Sequence, residues 1–129
     1  MPETKGTVLV VDDEEPVRNV ASEILRHLGY SVMTASSGEK AVDLVRAGAR
    51  PDVILLDIIM PGWSGGQTLV ALRAIESEVP ILITTGYADR AATDSLTRDG
   101  ANGFVPKPYD IETLAKHLEA VQRASKRLK

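Results

Sequence analysis

Five polar side chains stand at or just after the ends of short apolar segments, and their types suit phosphoryl transfer. They are Asp12, Asp13, Asp57, Thr85 and Lys107. In one pocket the three carboxylates would repel one another, and a bound divalent cation would remove that conflict. Oxygen ligands favour Mg²⁺, with Mn²⁺ as the alternative. The cation, the lysine and the hydroxyl would all engage phosphoryl oxygens. Since no serine, cysteine or histidine nucleophile is evident among these residues, Asp57 is the natural acceptor, and an aspartyl phosphate is expected.

The composition excludes several other kinds of reactive centre. The chain of 129 residues has no cysteine, which excludes disulfides, thiolate nucleophiles and Cys-type zinc sites. Its two histidines, His27 and His117, are too far apart in sequence to suggest a metal cluster. Positive charge is concentrated in residues 116–129, and the acidic remainder argues against direct nucleic-acid binding. No apolar run suits a signal peptide or a membrane span, so we expect a cytoplasmic protein without membrane insertion.

Short apolar runs alternate with amphipathic segments along the chain. The runs cover 7–11, 53–56, 81–83 and 103–105, with a weaker one at 31–35. Uninterrupted apolar runs are typical of parallel strands that are covered on both faces. The pattern predicts five strands and five helices in alternation, which is the α/β class with a doubly wound parallel sheet. Ligands of such sheets bind at the carboxyl ends of the strands, where the five polar residues would meet.

Capping signals and periodicity predict where the helices begin, end and pack. Pro16 suits the first turn of the first helix, Gly29 ends that helix, and Pro106 favours an edge position for the fifth strand. Further helix starts are predicted at Ser36 with Glu39, Ser64 with Gln67, Asp89 before a helix over 90–98, and Asp110. Helical spacing predicts apolar faces that are buried in the core. They are Val17, Val20, Ala21, Ile24, Leu25 and Leu28 in the first helix, Ala41, Leu44 and Val45 in the second, Leu69, Leu72 and Ile75 in the third, and Ile111, Leu114, Leu118 and Val121 in the last.

Four motifs resemble those of response regulator receiver domains, the phosphoacceptor half of two-component signalling. They are VLVVDDEE (8–15), VILLDIIMPGWSG (53–65), ILITTGYAD (81–89) and FVPKPYD (104–110). The resemblance covers about residues 6–124, which leaves 1–5 as an N-terminal extension and 125–129 as a basic C-terminal tail. It implies a flavodoxin-like (βα)5 fold with strand order 2-1-3-4-5, as in the chemotaxis receivers.

The resemblance also implies a role for each site residue. Asp57 would be the phosphorylation site. Asp13 and Asp57 would bind Mg²⁺ directly together with the backbone carbonyl of Ile59, whereas Asp12 would act through a metal-bound water. Lys107 would contact the phosphoryl group.

A hydroxyl and an aromatic side chain would form the conformational switch of such a domain. Thr85 is preferred over Thr84 as the hydroxyl because it precedes the small Gly86. The aromatic would be Phe104, which is alternatively a plain core residue of the edge strand. Phosphorylation would draw Thr85 inward and let Phe104 rotate, which would remodel the surface of the fourth helix, fifth strand and fifth helix.

Other residues would border the site without reacting. They are Pro61, Gly62, Trp63, Gly86, Tyr87 and Pro108. For Trp63 two interpretations stand: a loop aromatic that covers the neighbouring turn, or a contact for the phosphodonor protein.

The resemblance predicts a signalling domain rather than an enzyme, with a histidine kinase or histidine phosphotransfer protein as phosphodonor. A downstream protein would bind the remodelled surface, and phosphorylation could drive homodimerisation. The domain either stands alone or is part of a hybrid histidine kinase or a multidomain regulator. An aspartyl-phosphate phosphatase is disfavoured because Ile59 stands where such enzymes carry a second aspartate, and a flavin-binding module is disfavoured because the acidic segment 12–15 would repel a phosphate.

Overall fold

Five parallel strands form one sheet in a computed structural model, which describes residues 5–57, 65–75, 78–85, 96–106 and 110–127. The strands are β1 (Thr7–Val11), β2 (Ser31–Ala35), β3 (Val53–Asp57), β4 (Ile81–Thr85) and β5 (Gly103–Pro106). Their order is β2-β1-β3-β4-β5, and each neighbouring pair is parallel. This confirms the predicted fold and the edge position of the strand that contains Pro106.

Helices cover both faces of the sheet and bury it in two cores. They are α1 (Glu15–His27), α2 (Gly38–Arg46), α3 (Gly65–Ile75), a short helical segment at 96–98 that we label α4, and α5 (Ile111–Arg127). One core joins Leu9, Ile54 and Ile83 to α2 and α3, and the other joins Val8 and Leu55 to α1 and α5. Successive strand residues enter opposite cores, which explains the uninterrupted apolar runs. None of the helices in the described part of the chain has the length and apolar character of a membrane span.

Of the three predicted helix starts that lie within the described residues, two follow the predicted signals and one is displaced by a residue. Pro16 lies in the first turn of α1, as predicted, and the Asp110 side chain accepts a hydrogen bond from the Thr113 amide at 2.8 Å, as a cap of α5 should. The prediction of Ser36 as the cap of α2 is wrong. Ser37 has the extended backbone of a cap, and its Oγ accepts from the Lys40 amide at 3.1 Å. The predicted caps Ser64 and Asp89 lie outside the described residues.

Three apolar residues predicted on buried helix faces are exposed. Val20 is 55% exposed because α1 packs through Ala21 and Leu25, and adjacent helix positions are about 100° apart. Ile75 and Ile111 are the last residue of α3 and the first of α5, and both are exposed. The helical period of the pattern is therefore confirmed, but the buried stripe of each of these helices is narrower or shorter than the sequence pattern predicts.

Arg73 fixes the ends of β4 and β5 that lie opposite the predicted site. Its guanidinium donates hydrogen bonds to the carbonyls of Val79 and Gly100 and to Oδ1 of Asn102. Asn102 Oδ1 also accepts from the Ile81 amide, and the Asn102 amide donates to the Ile81 carbonyl, both at 2.8 Å. The two strands that lead to Thr85 and Lys107 therefore start from a fixed position.

Tyr30 connects the segment between α1 and β2 to α5. Its hydroxyl donates a hydrogen bond to Gln122 Oε1 at 2.9 Å, and the residue is 5% exposed. Burial raises the pKa of the Tyr30 phenol above its ordinary value of 10.0, and the negative charge of Glu119 raises it further.

The stability of the protein is expected to fall at high pH through Tyr30. Since its pKa is higher in the folded than in the unfolded chain, its contribution is complete below pH 10.0 and is lost as the pH rises through the folded-state value. Tyr30→Phe should remove this part of the pH dependence in urea unfolding between about pH 8 and about pH 11. Glu119→Gln should reduce this pH dependence without removing it, because burial of the Tyr30 phenol remains. A constant difference between wild type and Tyr30→Phe over that range would contradict the assignment.

Candidate metal centre

The first two candidate ligands are brought together by strand register. The last pair of residues aligned between β1 and β3 is Val11 and Leu56. Asp12 and Asp57 directly follow these two residues, so they lie side by side at the carboxyl edge of the sheet. Asp13 joins them, and one carboxylate oxygen from each of the three residues lies within 4.8 Å of the others. The structure therefore brings together the three carboxylates that the sequence proposed as metal ligands.

The burial of the three carboxylates differs. Asp12 is 3% exposed and Asp57 is 5% exposed, whereas Asp13 is the most accessible of the three. Like charges held this close and this deep repel one another strongly, because little water screens them. The donors are all oxygens, which fits a hard divalent cation such as Mg²⁺ and not a zinc site of the Cys and His type.

The other predicted site residues lie on β4 and β5 or follow them. Asp57 is aligned with Thr84, and Thr85 with Pro106, so Thr85 lies one residue beyond Asp57 toward the carboxyl edge. Lys107 comes directly after Pro106 and lies outside the described residues. The other predicted site residues that lie outside the described residues are Ile59, Pro61, Gly62, Trp63, Gly86, Tyr87 and Pro108. Their predicted roles therefore stay predictions.

Phe104, the predicted switch residue, is half-buried. It is aligned with Ile83 of β4 and packs against the core on the α2 and α3 side of the sheet. The core interpretation of Phe104 therefore holds, and it does not conflict with a role in switching.

One residue at the site was missed by sequence reasoning. Arg18, in α1, donates a hydrogen bond from Nη1 to the backbone carbonyl of Asp12 at 2.7 Å. A cation one helical turn after the acidic segment 12–15 was the only sequence signal. That signal is ambiguous, because most arginines at such positions extend into solvent.

Comparisons with known proteins agree on one family. The profile described as the response regulator receiver domain matches residues 8–119. The chain is 39% identical over 121 residues to a probable transcriptional regulator, ycf27, of Guillardia theta, a match that covers 94% of this chain and 47% of that protein. It is 34% identical over 111 residues to the sensor kinase CckA of Brucella abortus, covering 85% of this chain and 12% of the kinase. This chain therefore spans about half of the first relative and a small part of the second.

A solved structure gives the same result. The chemotaxis protein CheY4 of Vibrio cholerae is 35% identical to the chain, with a TM-score of 0.85. The similarity covers 89% of this chain and 97% of CheY4.

Proposed function

The chain belongs to the response regulator receiver domain family, and from that premise we propose that it accepts a phosphoryl group on Asp57 in a two-component phosphorelay. The observation that carries the proposal is the cluster of Asp12, Asp13 and Asp57 at the carboxyl edge of the sheet. Repulsion among three neighbouring carboxylates opposes folding, so the cluster does not serve to stabilise the fold. A bound cation removes this repulsion and provides a site for a phosphoryl group.

Magnesium is the cation that this cluster suits best. Asp13 and Asp57 would hold it together with the backbone carbonyl of Ile59, and Asp12 would act through a bound water; Mn²⁺ could replace Mg²⁺. When bound, the cation would neutralise negative charge on the phosphoryl oxygens. The oxygen-only donor set supports this assignment.

The side chains of this protein would carry the remaining steps of the reaction. A carboxylate oxygen of Asp57 attacks phosphorus, its new bond to phosphorus forms, and the bond from phosphorus to the donor's histidine nitrogen breaks. The Lys107 ammonium pairs with a phosphoryl oxygen, and the Thr85 hydroxyl donates a hydrogen bond to another. The domain would thus assist its own phosphorylation and would not act on other substrates.

The phosphodonor histidine would come from a partner. His27 is exposed near the end of α1, and the His117 ring makes a hydrogen bond with the Thr113 carbonyl of its own helix. Both lie on helices, away from the strand ends that carry the cluster. A histidine kinase or a histidine phosphotransfer protein would therefore supply the phosphoryl group in the cytoplasm.

The output would come from the α4, β5 and α5 surface. Thr85 would move toward the phosphoryl group and Phe104 would rotate into the space it leaves, which shifts the population of existing states. A downstream protein or a second copy of the chain would bind the shifted surface. We propose no direct contact with nucleic acid, because this domain is acidic overall.

The proposal is tested by labelling with acetyl phosphate and Mg²⁺. Wild type should gain one phosphoryl group, stable in acid and labile in base, as an acyl phosphate is. Asp57→Asn should gain none, because an amide oxygen is a poor nucleophile. Asp43→Asn, which changes an exposed aspartate of α2 in the same way, is the matched control and should label normally. Labelling that persists in Asp57→Asn would refute Asp57 as the acceptor.

A further inference from the structure

The side chain of Arg18 folds back from α1 onto the backbone carbonyl of Asp12, one of the three clustered aspartates. We propose that Arg18 is a positioning residue, which holds Asp12 and the start of α1 in the arrangement that the cation needs. This inference rests on the proposed function, because it assigns a role in forming the same site.

The backbone of Asp12 is held on both sides. Its amide donates to the Ala35 carbonyl at 3.2 Å, and its carbonyl accepts from Arg18 Nη1 at 2.7 Å. Its Oδ1 accepts from the Glu14 amide at 2.9 Å, which sets the direction of the carboxylate. Of these three bonds, only the one from Arg18 has a side-chain donor, so it can be removed by a substitution that leaves Asp12 itself unchanged.

The main chain from which the Arg18 side chain extends is well anchored. The Arg18 amide donates to the Glu14 carbonyl at 3.0 Å, and the Arg18 carbonyl accepts from the Ser22 hydroxyl at 2.7 Å. Ser22 is 4% exposed, so this bond is sheltered from water. Ordering an arginine side chain carries a large entropy cost, and a charge-assisted hydrogen bond is strong enough to offset it.

A positively charged guanidinium beside a cation site has two opposite effects. It repels the incoming cation, so its removal should tighten binding if charge alone matters. It also holds Asp12, so its removal should weaken binding if positioning matters. Because salt screens the charge effect between accessible groups far more than it weakens a short hydrogen bond, titration at high ionic strength separates the two.

The experiment is calorimetric titration with MgCl2 in about 0.5 M KCl, where the screening length is only a few ångströms. Arg18→Met keeps the apolar stem and removes the donor. We expect it to weaken Mg²⁺ binding by about tenfold, the lower end of the range that is typical when a group holding a metal ligand is lost. Arg18→Lys should recover part of the loss, because an ammonium can still donate to the Asp12 carbonyl. Arg26→Met removes an exposed arginine of the same helix and should bind like wild type.

A second readout needs no metal. In the metal-free protein, the Glu14 amide should exchange with solvent about tenfold faster in Arg18→Met than in wild type, since its acceptor on Asp12 is less well held. Unchanged or tighter Mg²⁺ binding together with unchanged exchange would overturn the inference, even if Arg18→Met melts at a lower temperature. If wild type itself fails to bind Mg²⁺, the proposed function fails, and the exchange result still decides whether Arg18 positions Asp12.

Discussion

Asp57→Asn is expected to stabilise the metal-free protein while it removes most of the stabilisation that Mg²⁺ gives. Asp57 is 5% exposed and shares its site with two other carboxylates. Replacing its charge by an amide of the same shape relieves repulsion, and we expect a gain of about 2 kcal/mol in the free energy of unfolding. The same change removes a metal ligand. For wild type, Mg²⁺ at about 100 times its dissociation constant should add about 2.7 kcal/mol.

Urea unfolding with and without Mg²⁺ measures both effects in one series. Asp13→Asn is the informative companion, because Asp13 is the most accessible of the three and its charge is better screened. It should give a smaller gain in the absence of metal and a similar loss of the Mg²⁺ effect. Asp43→Asn should leave both quantities within about 0.5 kcal/mol of wild type. A metal-free Asp57→Asn protein that is less stable than wild type would show that other interactions of the Asp57 carboxylate outweigh the repulsion.

The location of the aspartate cluster was predictable because the central strands are buried on both faces. When every residue of such a strand enters a core, the first polar residue of each run marks the edge of the sheet. Asp12 and Asp57 were found in this way, although Asp57 belongs to β3 itself. The two aspartates are neighbours because the strand register aligns Val11 with Leu56. This register depends on pairing between segments that are distant in sequence, so neither segment alone predicts it.

The residue that sequence reasoning misplaced and those that it did not identify all depend on hydrogen bonds to the main chain. Ser36 and Ser37 have the same side chain, and only the backbone conformation at Ser37 decides which one caps α2. Ser22 is buried although it is polar, because its hydroxyl bonds to the backbone of its own helix, and an apolar pattern cannot reveal that. Arg18 was missed for a similar reason, since its partner is a carbonyl that any residue at position 12 would provide.

Gly38→Ala is expected to destabilise the protein, against the usual helix preference. Alanine within a helix is normally more stable than glycine by up to about 1 kcal/mol. Here a Cβ on Gly38 would overlap Oγ1 of Thr68 on α3 and lie 3.0 Å from its Cβ. Thr68 is fully buried, so it has little room to move. We expect a loss of about 2 to 3 kcal/mol in the free energy of unfolding, which is typical of overpacking.

A double-mutant cycle with Thr68→Ala shows whether this contact is the cause. Removing Oγ1 and Cγ2 leaves only the contact between the two Cβ atoms, so Gly38→Ala should cost about 1 to 2 kcal/mol less in the Thr68→Ala background than in wild type. Glu39→Ala changes the next, exposed residue of α2 and should shift stability by no more than about 0.5 kcal/mol. If the two substitutions are additive in urea unfolding, the close approach of α2 to α3 at Gly38 does not limit stability. If they couple as expected, Gly38 is required because α2 and α3 pack against each other on the face of the sheet that also holds Phe104.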